Sequence, residues 1–537
     1  MADIGNLWSK LKDLNYNSYL ENKSAYVTIK CVKALIFIFF SVLFISLVFF
    51  NNGAFVDIRG QLIMTLISFC VFVLLYQVIN VFYMIFRKSE ISFTSSLIFM
   101  FLGIFILQLY FVLSIYTTSG WDAGLIIKLA KGEGDGIEQL YLSVFSNNIL
   151  IFFIFRLFFS IFRLIGLSDY WLGLSVLNII LVDLSLLCSI ITLRKLHLPI
   201  YAYYNLIVLF VLLVGFSPWL VVPYSDTLSM PIVSALVLFC ILAIQSKTAK
   251  KRLVYSVICG VIFALGWLVK STIIAVIAAL FITLLLHKLH MRKLVNIRCA
   301  VVPIASGILS FTAILILFNL FVDNQRIIHI DRSLRTPMSY SIATGLVELQ
   351  YTDTRSMYGV YDEELAYLNR GTTQEKNVIY YRFIREKLQD FGMSGYLEYL
   401  FNKARWITSE GDFHWYREGG GDADFSNPDK NILRSFLYIT GEHYDFWRHA
   451  VNGLWIVVFF GCCLGMLISL LKCDRVKNKR FDAELFFTLI FLFIILVLLV
   501  VEARTRYLIS FLPVICMISA IGYSSIVNLY RSYREVH

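Results

Sequence analysis

Long apolar runs separated by short polar interruptions dominate the chain. They fall at residues 32–50, 62–86, 95–116, 171–193, 201–220, 228–244, 253–269, 273–289, 300–322, 451–471, 485–501 and 507–530. Helices of about 20 such residues match the thickness of a hydrocarbon core. The pattern predicts an all-α polytopic membrane protein of about twelve helices.

One apolar run departs from the rest. Residues 149–165 are short and carry Arg156 and Arg163, two turns apart and therefore on one helical face. A helix that is aromatic on one side and basic on the other lies in the membrane interface. Counting it as a pass would also reverse the charge bias of every later loop. It reads as a juxtamembrane helix on the exterior surface.

Two polar regions are larger than connectors need to be. The first exterior loop, 117–170, contains a polar island at 120–148 with Asp122, Glu133, Asp135 and Glu138 against two lysines. The second, 323–448, holds 19 acidic and 15 basic residues, more than half of the chain's 36 carboxylates. It reads as mixed helix and loop, with amphipathic stretches at 374–389 and 396–408 and a Gly/Asp-rich loop at 419–427. Its apolar content is too modest for a large core of its own, so it is expected to pack on the membrane domain. The resulting organisation is a cytoplasmic N-terminal segment with two accessory helices (1–94), a transmembrane core (95–322), the exterior region (323–448) and three C-terminal helices (449–537).

Composition agrees: 59% of residues are hydrophobic, 15% are charged, and the mean hydropathy is +0.75. The net charge of +11 raises nucleic acid as a partner, but its placement argues against one. Basic clusters at 23–33, 87–88, 194–195, 247–252, 288–298, 472–480 and 531–534 all fall on one side when twelve helices alternate. By the positive-inside rule that side is the cytoplasm, which also receives both termini. The ten cysteines lie in or beside membrane helices, so neither an exterior disulfide framework nor a Cys-x-x-Cys metal spacing is present.

Four polar groups occupy the outer helix ends. They are Trp121-Asp122 with the loop end Ser146-Asn147-Asn148; Pro223-Tyr224-Ser225-Asp226-Thr227; Lys270-Ser271-Thr272; and Glu502-Ala503-Arg504-Thr505-Arg506-Tyr507. Charges at such depths are costly unless paired or facing a wet cavity. Arginine forks and a lysine suit a phosphate or pyrophosphate headgroup, and a carboxylate can deprotonate an attacking hydroxyl. Structural roles stand beside these: Glu502 pairing with Arg504 or Arg506, Asp226 or Asp122 capping a helix, and Lys270 snorkelling. Trp406, Trp415, Tyr416 and Trp447 suit either carbohydrate stacking or a core.

These motifs resemble the GT-C superfamily of polytopic glycosyltransferases, which use polyprenyl-phosphate-linked sugars. More specifically they are similar to Gram-positive bacterial membrane glycosyltransferases that decorate cell-envelope glycopolymers. The likeness rests on W-D-A-G at 121–124, S-N-N at 146–148, P-Y-S-D-T at 223–227, G-W-L-V-K-S-T at 266–272 and E-A-R-T-R-Y at 502–507. In the exterior region it extends to T-P-M-S-Y-S-I-A-T-G-L at 336–346, to Asn402-Lys403 with Trp406, and to Gly411-Asp412-Phe413 with Trp415.

The resemblance implies a GT-C-type transmembrane domain with Asp122 as catalytic base. It places the lipid phosphate on Lys270, Arg504 and Arg506, with Asp226, Glu502, Tyr507, Asn147 and Asn148 in the substrate site. The implied partners are a polyprenyl-phosphate-linked sugar donor, a cell-envelope glycan acceptor and the bilayer of the bacterial plasma membrane. Two departures stand out. Ser146 takes a position where proline is expected, and Ala123 follows Asp122 where related enzymes carry a second acid, which leaves Asp135 or Glu138 as open substitutes. A divalent metal between Asp122 and Asp226 is a further option. The competing classes are a flippase or polymer ligase acting on the same headgroup, and a secondary transporter. The transporter would use the mid-helix Asp183, with Asn178 just before it.

Overall fold

The computed structural model describes residues 27–50, 57–88, 93–291, 297–352, 355–418, 430–472 and 481–536. The loop at 419–427, residues up to 26 and the basic stretch 473–480 lie outside the described residues. So do the side chains of the basic clusters at 87–88, 288–298 and 531–534 and of Tyr416.

The chain is almost entirely helical. Its elements are α1 (Val27–Phe49), α2 (Ile58–Lys88), α3 (Phe93–Ser114), α4 (Asp122–Lys131), α5 (Gly136–Gln139), α6 (Tyr141–Val144), α7 (Ile149–Leu164), α8 (Tyr170–Lys195) and α9 (Ile200–Phe210). There follow α10 (Ser225–Gln245), α11 (Ala249–Val269), α12 (Ile274–Met291), α13 (Ile297–Asn324), α14 (Met338–Thr344), strands β1 (Glu348–Thr352) and β2 (Arg355–Tyr358), and α15 (Glu363–Tyr367). The last are α16 (Thr373–Ile407), α17 (Trp415–Glu418), α18 (Ile432–Leu437), α19 (Tyr444–Leu471), α20 (Ala483–Val500) and α21 (Leu512–Val536).

Eleven helices among the described residues are long and apolar enough to cross a membrane, and Ile200–Gly215 and Ser271–His287 are shorter apolar helices. The α7 region is among the eleven by length, but its ends hold it on one face. At the start of α8, Asp169 accepts a 3.0 Å hydrogen bond from Tyr116, just past the end of α3. The chain therefore leaves α3 and begins α8 on the same face. Ten-residue α4 is about 15 Å long and cannot cross, so α7 does not cross either. It lies along that face beside α4, where Arg156 donates to the Ala130 carbonyl at 3.4 Å. With α7 set aside and the two shorter helices included, the described residues offer twelve candidate passes.

Two boundaries differ from the hydropathy reading. The fifth pass ends early, in a π turn at Val211–Gly215 and a 3-10 turn at Pro218–Val221, because Pro218 cannot continue the hydrogen-bond ladder. Asn178 fastens this irregular end to α8 by donating to the Trp219 and Leu220 carbonyls at 3.2 and 3.0 Å. The last pass opens with a 3-10 turn, Thr505–Phe511, before α21.

The two N-terminal helices share the main core: Phe40 of α1 packs on Phe491 of α20 at 4.5 Å, and α2 lies along α19. The region 323–448 adds a two-stranded antiparallel hairpin that periodicity did not reveal. Its two expected amphipathic stretches are the halves of α16, bent at Gly392, whose φ of 58° favours glycine. The region's own clusters are small, whereas Ala404, Ile407, Phe413 and Trp415 belong to the membrane-domain core. It packs on that domain as expected. Trp406 and Trp415 are each only 1% exposed, so these two indoles are core and not a sugar platform.

Candidate functional site

The four sequence-distant motifs meet on the face that carries the 323–448 region. Asp122 is the first residue of α4, after the extended Trp121. The turn before it is tight, since a Cβ on Gly124 would lie 2.0 Å from the Ser119 carbonyl oxygen. That contact explains the glycine of W-D-A-G. One Asp122 carboxylate oxygen accepts from the Tyr141 hydroxyl at 2.8 Å and the other from Tyr224 at 3.2 Å. Burial pushes both phenols above their ordinary values, so they stay protonated as donors. Asn148, itself buried, donates to the Tyr141 oxygen at 2.8 Å and accepts from Tyr224 at 3.4 Å. Asn147 is exposed and braces Asn148 at 3.3 Å.

A charged cluster lies beside the Tyr224 ring. Asp226, in the first turn of α10 and 1% exposed, pairs with Lys270 and stands 3.8 Å from the Arg506 Nε. Its place in the helix's first turn suits a carboxylate, but it is not the cap residue. Arg506 reaches Glu418 at 3.1 Å, and Glu418 accepts from the Ser119 hydroxyl. The Arg506 guanidinium lies 5.9 Å from the Tyr224 ring centroid and 5.8 Å from that of Tyr507, while the Lys270 ammonium lies 4.6 Å from Tyr507. At the rim, Glu502 accepts from Tyr507 at 2.9 Å and sits 3.5 Å from Arg504.

Lys270 also marks a divergence of helices. Joined by the tight turn Ser271–Ile273, α11 and α12 would ordinarily pack as antiparallel neighbours. Here α11 lies on α10 and α13, whereas α12 leans on α20, and the two hardly touch. They splay from an apex at Lys270, flanked by exposed Trp267 and Ile274.

A family model described as a conserved hypothetical integral membrane protein matches residues 24–527. The chain belongs to that family. No curated protein and no solved structure matches it. The family description gives an integral membrane protein and assigns no chemistry to the residues assembled here.

All the sequence-derived site residues except the peripheral Asn147 thus sit in or at the rim of one constellation. Asp135 and Glu138 do not join it: Asp135 is exposed, and Glu138, half-buried, pairs with Lys128 at 2.6 Å. The second acids near Asp122 are instead Asp226 and Glu418. Among the described residues no group of three or more His, Cys, Asp and Glu side chains stands ready for a metal ion, and Asp226 is already engaged by Lys270 and Arg506. Asp183 lies elsewhere, accepting from the Gln108 amide at 3.2 Å.

Glu418 was not legible in the sequence, and neither was its anchor. The segment leading to it carries Glu410 and Asp412, which pair with Arg448 of α19 at 3.1 and 3.2 Å. Burial pushes Asp412 up to about 6 against the pull of Arg448. The Asp412 carbonyl accepts from the Trp219 indole at 3.1 Å, and the Gly411 amide donates to Asn452 at 2.7 Å. Residues 410–418 are thereby fixed between α19 and the site.

A second anchor, Lys403 of α16, is fully buried and donates to the carbonyls of Gly345 (2.6 Å), Leu499 (3.1 Å) and Val501 (2.7 Å). Its three acceptors use all three ammonium donors and fix the end of α20 immediately before Glu502. Gly359 packs against it with a φ of 69°, and a Cβ there would lie 2.4 Å from the lysine Cε. Burial lowers the Lys403 ammonium to about 7, with Glu502 pulling the other way. Between that value and its ordinary 10.5 the unfolded chain binds more protons, so folding stability rises with pH across this window. Thermal melts of purified protein from pH 7 to 10 check this: Lys403→Met is expected to flatten the rise.

Proposed function

We propose that the protein is a glycosyltransferase that moves a sugar from a polyprenyl-phosphate-linked donor to a hydroxyl of a cell-envelope glycan. In this reading the reaction takes place on the face carrying Asp122, taken as exterior because the sequence's basic clusters are expected on the opposite side. The observation that carries this reading is that one residue, Tyr224, touches both the carboxylate and the cation cluster. Its hydroxyl donates to Asp122, a carboxylate oriented by two phenols, and its ring lies 5.9 Å from the Arg506 guanidinium, which shares Asp226 with Lys270. The splayed α11 and α12 add support, because a lipid chain lying between them would bring its phosphate to Lys270.

In this mechanism the acceptor oxygen attacks the anomeric carbon and the carbon–oxygen bond to phosphate breaks. The electron pair leaves on the phosphate oxygen, where Arg506 and Lys270 stabilise the developing charge. Asp122 takes the acceptor proton. The products are the glycosylated acceptor, with inverted configuration, and polyprenyl phosphate.

The test is reconstitution of purified protein in lipid nanodiscs with a labelled polyprenyl-phosphate sugar and envelope glycan. Release of free polyprenyl phosphate, dependent on the acceptor, is the expected result. Intact donor, together with ion-coupled solute uptake in vesicles that requires Asp183, would overturn the reading in favour of a transporter.

A further inference from the structure

The cations that would receive a phosphate are already neutralised. Around Arg506, Lys270 and Arg506 are balanced by Asp226 and Glu418, all four in one network and none more than 11% exposed at its side chain. An anionic headgroup therefore meets no net attraction until one carboxylate withdraws. The two acids are not equivalent. Asp226 is set in the first turn of α10, held by both cations, with its backbone carbonyl accepting from Ser510 at 3.1 Å. Glu418 is the last residue of the one-turn α17 and has one ion partner, Arg506, besides the Ser119 hydroxyl. Arg506 also keeps a buried Nε–H with no hydrogen-bond acceptor, 3.8 Å from the likewise unbonded Asp226 Oδ2. A buried unsatisfied donor on an arginine is costly, and a phosphate oxygen would satisfy it.

We infer that Glu418 is a displaceable counter-ion that holds the place on Arg506 which the ligand's single negative charge takes. With Glu418 withdrawn, Lys270, Arg506 and Asp226 leave one net positive charge. That matches a phosphodiester, which carries one negative charge, and not a diphosphate, which carries two or more. The site is thus selective for a sugar linked through one phosphate. This rests on the lipid-phosphate reading above.

Glu418 faces Arg506, Ser119, Asp226 and Asp122; burial raises its carboxyl above the ordinary range while Arg506 and Ser119 oppose the rise. Protonation removes its claim on Arg506, so wild-type affinity for a phosphodiester is expected to increase as pH falls. The experiment measures binding of a short-chain prenyl phosphodiester and of a prenyl diphosphate to purified wild type, Glu418→Gln and Arg506→Gln across pH 5 to 8. Gln keeps the size of Glu and a hydrogen bond to Ser119. Glu418→Gln is expected to bind the phosphodiester on the order of tenfold more tightly at pH 8, to lose the pH dependence, and to discriminate less against diphosphate. Arg506→Gln is expected to lose binding of both.

Equal or weaker phosphodiester binding by Glu418→Gln, with wild type binding normally, would overturn the counter-ion role alone. Absence of phosphodiester binding by wild type and Glu418→Gln, with both melting normally, would overturn the lipid-phosphate reading itself. Should Glu418→Gln not fold, Ser119→Ala serves instead: it removes the second tether of Glu418 and is expected to shift affinity in the same direction.

Discussion

Asp122→Asn is expected to lower sugar transfer by about 10³-fold, within the range that a positioned general base contributes, while the protein remains folded and still binds donor. Both Asp122 oxygens accept from phenols, Tyr141 and Tyr224. An asparagine carbonyl can keep one of these bonds, so the loss to stability is about one hydrogen bond, ~1 kcal/mol. What it cannot do is take a proton. The substitution therefore separates positioning from chemistry: donor affinity stays near wild type because Lys270 and Arg506 are held by Asp226 and Glu418 and not by Asp122. Turnover measured as polyprenyl phosphate release, alongside a melting curve, checks both halves. Wild-type turnover in the variant would remove Asp122 from the reaction. Loss of donor binding at unchanged stability would move it into the phosphate site.

The passes and the site face were legible because each rests on a local property. About twenty apolar residues announce a helix, and a charge at the end of such a run announces a functional candidate. That was enough to select Asp122, Asp226, Lys270, Glu502 and Arg506 from four distant stretches, and to keep α7 off the list of passes. It could not pair them. Whether Lys270 snorkels or pairs depends on Asp226, 44 positions away, and the structure decides for pairing. Glu418 escaped for a related reason. In a region with 19 acids nothing local distinguishes the few that are buried from the many that are solvated. The same blindness hid the Glu410–Asp412–Arg448 cluster, and it left Trp406 and Trp415 equally readable as a sugar platform or as core. Burial there is set by where α16 and α19 come to rest, not by the residues' neighbours in the chain.

Arg448→Met is expected to carry the largest stability cost among single substitutions near the site, about 3–5 kcal/mol, the range for removing one partner of a buried ion pair. The Glu410 and Asp412 side chains are 0% exposed and Arg448 is 2% exposed. Removing the guanidinium leaves two carboxylates with no route to water. His414 offers partial relief, its Nδ1 standing 3.7 Å from Glu410. Because burial already holds Asp412 near 6, the variant is expected to recover stability as pH is lowered and the carboxyls take up protons. Wild type, with its arginine in place, gains less. Thermal melts at pH 5 and 8 make the comparison.

Adding Glu410→Gln and Asp412→Asn to Arg448→Met is expected to restore much of the loss at pH 8, since it removes the uncompensated charge and leaves the packing volume. If the triple substitution melts no higher than Arg448→Met, the cost lies in packing around the arginine and not in charge. The consequence reaches the site. Residues 410–418 are held by this cluster at one end and by the Glu418–Arg506 pair at the other. Loosening the first frees Glu418 from Arg506. Arg448→Met, assayed below its melting range, should therefore bind the prenyl phosphodiester more tightly than wild type even though it is less stable.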